Sequence, residues 1–147
     1  MIKIKVEGLR ELDSALGQLP KTTGKAALRR VLKKAAEPLR AHAEQLAPKL
    51  THALERSITV GTKLTRRQAR MAKKAAKSTV EMYVGPNNPA AVPQEFGTHD
   101  QRAQPFMRPA WDAEQDGLLV SIKDQLGPEI EKTAARLAKR RALKGLT

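Results

Sequence analysis

Residues Ile58–Val84 read ITVGTKLTRRQARMAKKAAKSTVEMYV, and the fold turns on how this stretch is divided. At its start Ile58-Thr59-Val60-Gly61 has the look of a short strand. At its end Thr79-Val80-Glu81-Met82-Tyr83-Val84 alternates apolar and polar side chains, the period of a strand with one buried face. The turn formers Gly85-Pro86-Asn87-Asn88-Pro89 follow at once. The two segments are expected to pair. Residues 62–78 between them are far too many for a tight hairpin turn, so they form an arm. That arm carries Lys63, Arg66, Arg67, Arg70, Lys73, Lys74 and Lys77 and no acid. If helical, it would put Arg66, Arg70, Lys73 and Lys77 on one stripe, with Leu64, Met71 and Ala75 opposite.

Working outward, Ile2, Ile4 and Val6 alternate with Lys3, Lys5 and Glu7, which predicts another strand ending at Gly8. Leu9, Leu12, Leu16 and Leu19 recur at helical steps up to Pro20. Leu28, Val31, Leu32, Ala35, Leu39, Ala43 and Leu46 continue that spacing through a longer helix, with Thr22 or Thr23 as the expected cap and a kink expected at Pro38. Thr51 is placed to cap a short turn carrying Leu54. On the far side of the arm, Pro109 suits the first turn of a helix from about Ala110 to Leu126, with Trp111, Leu118, Leu119 and Ile122 expected inside. Gly127-Pro128 predicts a break before a last helix rich in cations. The fold class expected is α+β: one domain over residues 1–147, its small antiparallel sheet flanked by long helices. A basic arm at 62–78 is inserted between two strands, and 128–147 form a basic C-terminal helix.

The whole chain has 147 residues, no cysteine, only 3% aromatics and a net charge of +13. Disulfides and thiolate chemistry are excluded, and the small apolar side chains predict a thin Ala/Leu core. Charge is polarised along the chain: net +6 over residues 1–60, +7 over the arm, −4 over 80–127 and +4 over the tail. A polyanionic neighbour or an assembly contact suits such a pattern. His42, His52 and His99 lack the short spacings of a metal site. No serine stands in a nucleophile elbow, and the glycines form no phosphate-cradling loop. Glu95 has no partner acid or nucleophile nearby in sequence, so it reads as a hydrogen-bonding or interface residue rather than a general base. No run approaches the ~20 apolar residues of a membrane span, and the N-terminus lacks the apolar core of a signal peptide, so a cytoplasmic site of synthesis and assembly is expected.

Several landmarks stand in a telling order. They are Val6 and Gly8 before a Leu-rich helix, Ala47-Pro48 closing a long Ala-rich one, Thr51-x-x-Leu54-x-x-Ser57-Ile58, and Val84-Gly85. Glu95-Phe96-Gly97-Thr98 and Pro105-Phe106-Met107-Arg108-Pro109-Ala110 complete the series. Together they resemble the tail-completion, or head-tail joining, proteins of long-tailed bacteriophages, over residues 1 to about 130. That family usually has glycine where His52 stands here.

The resemblance implies an α+β structural protein of the virion neck, without catalysis or cofactor, forming a homo-oligomeric ring, hexamer or dodecamer, between tail tube and head. It implies contacts with tail terminator and tail tube proteins and with head-tail connector proteins, adaptor or stopper, and none with a membrane. Phe96, Phe106, Met107 and Trp111 are then the expected packing anchors. The arm cations would face genomic double-stranded DNA in the lumen or an acidic neck protein. The alternative is a sequence-nonspecific DNA-binding module in which arm and tail clamp phosphates. The scarcity of aromatics argues against single-strand stacking platforms.

Overall fold

In the computed structural model the described residues are 8–50, 52–72 and 79–145. They form six helices and one two-stranded antiparallel sheet, an α+β arrangement as expected. In chain order these are α1 (Leu9–Gly17), α2 (Lys21–Leu46), α3 (Ala53–Arg56), β1 (Ile58–Gly61), α4 (Arg66–Met71), β2 (Tyr83–Pro86), α5 (Ala91–Phe96) and α6 (Met107–Gly145). The strand expected at Ile2–Val6, the Thr51 cap and the arm cations Lys73, Lys74 and Lys77 lie outside the described residues.

The backbone of the fold is the antiparallel pair α2 and α6, with lengths of about 39 and 58 Å at 1.5 Å per residue. Ala27, Val31, Ala35, Ala36, Leu39 and Ala43 make the buried stripe of α2, and their small side chains let α6 approach closely. The two helices are pinned at both ends of their contact. Arg30 donates to Glu129 at 2.6 Å and to the buried Thr133 hydroxyl at 3.0 Å, while His42 Nδ1 lies 2.9 Å from Glu114 Oε1. The hydrogen bond from Arg30 holds Glu129 below the usual carboxylate range against a smaller opposing effect of burial.

Three sequence expectations are corrected here. The long helix starts at Lys21, after Pro20, so Thr22 and Thr23 lie in its first turn and do not cap it. Pro38 lies inside α2, which continues to Leu46 as a kink rather than a break would leave it. Gly127-Pro128 does not break α6, which is one helix of 39 residues. Proline removes one donor and crowds the preceding turn, but packing on either side holds the helix together: Leu12 of α1 lies against Gly127, and Ile130 is buried against α2. The second strand falls at Tyr83–Pro86 rather than 79–84, pairing Ile58 with Pro86 and Val60 with Val84. Pro86 is tolerated at the strand's end, and the Asn87 amide donates to the Ser57 carbonyl at 3.0 Å just beyond it.

The main core joins α2, α3, the sheet, α5 and the start of α6 around Phe106, which is fully buried among Leu39, Ala43, Leu54, Ile58 and Ala110. Beside it, Leu32 and Ala36 of α2, Met82 and Val84 at the edge of β2, and Leu118 and Ile122 of α6 line an open apolar groove of about 440 Å³. Of the residues expected on the inner face of α6, Leu118 and Ile122 are half-buried, whereas Trp111 (48%) and Leu119 (49%) are exposed. The N-terminal part of α6 rests on its neighbours through a narrow strip, and these two side chains lie outside it.

Candidate functional site

The motif residues Glu95-Phe96-Gly97-Thr98 and Pro105-Phe106-Met107-Arg108 meet at the elbow between α5 and α6. Asn88 starts α5, its side-chain oxygen accepting from the Ala90 amide at 2.9 Å and its carbonyl from Ala91 at 3.1 Å. The helix ends at Gly97, whose φ of +76° suits glycine. A side chain there would also collide with the returning chain, since a Cβ would sit 2.8 Å from the Ala103 nitrogen and 2.9 Å from the Gln101 carbonyl oxygen. Thr98 closes the loop in both directions: its amide donates to the Gln101 carbonyl at 2.9 Å, and its hydroxyl accepts from the Gln101 amide at 3.1 Å. The Gln104 amide donates to the Gln94 carbonyl at 2.8 Å, and the Gln94 and Gln104 side chains bond to each other at 2.8 Å.

This loop delivers the first turn of α6 onto Glu95. The carboxylate, only 6% exposed, accepts from the amides of Phe106 (2.8 Å), Met107 (3.0 Å) and Arg108 (3.0 Å), and from Arg108 Nε at 3.3 Å. The amide donors at a helix start have no partners within the helix, and an anion there is favoured by the helix dipole. Glu95 is thus a non-local cap, supplied from 11 to 13 residues upstream. Burial pushes its pKa up, but the hydrogen bonds from Phe106, Met107 and Arg108 outweigh that and leave it below the usual carboxylate range. The carboxylate is thereby committed to holding two segments together.

The aromatic side chains of the elbow divide into two sets. Phe106 is buried and Met107 packs against the core, while Phe96 is 65% exposed with the Arg108 guanidinium 4.9 Å from its ring centroid. Such stacking leaves one ring face and the Val92 side chain, 63% exposed and one helical turn earlier, turned to solvent. Trp111, one turn beyond Arg108 on α6, is half exposed and borders the apolar groove. Pro105 is exposed, and Pro109 lies in the first turn of α6 as its missing donor favours.

The cations lie elsewhere. In the arm, Thr65 and Gln68 form a capping box, the Gln68 amide donating to Thr65 Oγ1 at 3.3 Å and the Thr65 amide to Gln68 Oε1 at 3.0 Å. The helix it starts is short, ending at Met71, so a stripe continuing to Lys77 is not seen within the described residues. Arg66, Arg67 and Arg70 on it, and Lys63 before it, are exposed, and Met71 is 82% exposed. Lys139, Arg140, Arg141 and Lys144 crowd the exposed end of α6. Among the described residues no cluster of His, Asp and Glu could hold a metal ion, and no helix is long and apolar enough to cross a membrane.

One feature had no counterpart in the sequence reading, and another bears on the position where the resembled family usually has glycine. The Gln94–Gln104 clamp carried no signal beyond two glutamines ten residues apart. His52 takes a left-handed conformation, φ +54°, at the start of α3, where its Nδ1 lies 2.9 Å from Glu55 Oε2. Glycine is the residue suited to that backbone.

The sequence profile of the family described as "Bacteriophage HK97-gp10, putative tail-component" matches residues 10–97, from α1 through the glycine of the elbow. No curated protein and no solved structure matches the chain.

Proposed function

The chain belongs to the HK97-gp10-like family of bacteriophage tail components, so it is a structural protein of the virion, and on that premise we propose that it is the tail-completion component. In this role copies of it form a closed ring at the neck, joining the tail tube to the head connector. The observation that carries the reading is the exposed apolar surface of Val92, Phe96 and Trp111 at an elbow whose backbone is fixed by Glu95. Rigid, partly apolar projections next to stacked arginine are the composition of interface anchors. The opposed charges of residues 1–60 and 80–127 suit a head-to-tail contact between copies, the kind that closes into rings. Glu95, Gly97, Thr98, Pro105 and Pro109 set the shape of the elbow, and Phe96, Arg108 and Trp111 meet the neighbour.

Native mass spectrometry and negative-stain imaging test this, alone and with the tail-tube partner. A discrete ring is expected, lost in a Val92→Asp, Phe96→Ser double variant that keeps its helix content. Monomers under every condition would end the proposal.

Exposed Arg66, Arg67 and Arg70 on α4 favour a second role within the first, contact with duplex DNA in the lumen. Seven arm cations each neutralising one phosphate give a log–log salt slope of about −6. Changing all seven to Gln removes most of that slope, and unchanged affinity would exclude the arm as a DNA contact.

A further inference from the structure

Arg30 holds α2 and α6 side by side through Glu129 and the buried Thr133 hydroxyl. From that bridge toward the start of α2 and the end of α6, both helices are free of acids. α2 carries six cations and no acid from Lys21 to Lys34, and α6 carries six cations and no acid from Lys132 to Lys144. Like charges set abreast repel, so this end of the fold is strained electrostatically when nothing anionic lies against it.

The two cationic runs meet across an open cleft of about 290 Å³, lined by Thr22, Thr23 and Arg30 of α2 and by Thr133, Arg136 and Arg140 of α6. No carboxylate is among its lining residues. Arg30 is committed to Glu129 and Thr133, whereas Arg136 and Arg140 are exposed, one helical turn apart, and form no salt bridge among the described residues. Thr22 is exposed and Thr23 half-buried on the opposite wall. Guanidinium groups and hydroxyls facing one space suit a phosphate group, whose oxygens accept from the arginine fork and from threonine alike. Each run is about 20 Å long at 1.5 Å per residue, a length over which duplex DNA presents about twelve phosphate charges. An unbroken run of one sign matches a partner uniformly of the other.

We propose that this cleft is a DNA contact distinct from the arm: the phosphate backbone of a duplex lies along it, with Arg136 and Arg140 gripping phosphate oxygens and Thr22 and Thr23 donating hydroxyl hydrogen bonds to them. Arg30 stays on Glu129 and keeps the two walls together. Contacts of this kind position a duplex without reading its sequence. The cleft binds whether or not copies close into a ring, and whether or not the arm touches DNA.

The test uses the full chain with its seven arm cations changed to Gln, so that binding by the arm is silent, and follows the anisotropy of a labelled mixed-sequence duplex as salt is raised. This protein should still bind at low salt. Adding Arg136→Gln and Arg140→Gln should reduce the log–log salt slope by about 2. Adding Thr22→Ala and Thr23→Ala instead should weaken binding about 3- to 10-fold at an unchanged slope, because the lost donors are neutral. Circular dichroism checks that helix content is kept in each variant. No duplex binding by the arm variant, or a slope unmoved by the arginine changes, would overturn the proposal. Equal affinity after the threonine changes would overturn it too, leaving only a diffuse cationic surface. So would displacement of the duplex by polyglutamate as readily as by unlabelled duplex, which would assign the cleft to an acidic protein.

Discussion

Replacing Glu95 removes the acceptor of three amides at once, and the structure sets the size of the effect. The Phe106 amide is buried and would stay unsatisfied, while those of Met107 and Arg108 are part-buried and regain some hydration. An unsatisfied buried donor costs about 1–3 kcal/mol, loss of a cap about 1, and loss of the anion at the helix start up to about 1 more, so Glu95→Ala should cost about 2–5 kcal/mol. A domain is stable by only about 5–15 kcal/mol, so the loss is a large share of the whole and should lower Tm by about 5 °C or more. Glu95→Gln keeps one acceptor and loses the charge, and should cost about half as much.

Urea unfolding followed by far-ultraviolet circular dichroism reads these values. The pH dependence has a fixed sign: a carboxyl whose pKa is lower when folded stabilises fully above its unfolded value, near 4.5, and loses that contribution as pH falls through the folded value. The gap between the parent and Glu95→Gln should therefore close below about pH 4.5. A Glu95→Ala protein within about 0.5 kcal/mol of the parent at neutral pH would refute the cap, as would a gap that persists in acid.

Three further outcomes follow from the same geometry. His52→Gly relieves a left-handed conformation and should raise stability by about 0.5–1 kcal/mol, seen as a higher Tm. Gly97→Ala places a methyl group against the Gln101 and Ala103 backbone and should cost at least about 2 kcal/mol, read by denaturant unfolding. Changing Arg66, Arg67 and Arg70 to Gln should leave Tm within about 2 °C, while reducing the slope of any duplex-DNA salt titration by about 2–3.

The parts of the fold legible in the sequence are those governed by local pattern. Ile58 and Val60 alternate with Thr59 and stop at Gly61, and β1 has those bounds. The second strand could be placed only nearby, because alternation does not set register: the pairing of Val60 with Val84 carries the strand on to Pro86, into what reads locally as a turn. Gly127-Pro128 is a strong local breaker, overridden by contacts from residues about a hundred positions away, Arg30 with Glu129 and Thr133. At the elbow, the two motifs could be recognised as a pair, and Glu95 as a hydrogen-bonding residue. No local rule, however, says that a carboxylate will cap a helix starting a dozen residues later. Hydropathy likewise marks Phe96, Phe106 and Trp111 alike, and only the packing separates the buried ring from the two exposed ones.

The last helix is also an electrical object. Over Met107–Gly127 its charged side chains sum to −2, and from Pro128 to Gly145 to +4, so they are paired favourably against the helix's own dipole and outweigh it along a spar about 58 Å long. Standing upright and abreast around an axis, such spars would set like poles beside like. Leaning each one so that its cationic tip lies over the acidic half of the next removes that repulsion. The charge order along one helix thereby favours a slanted stave over a vertical one in any barrel built from this chain.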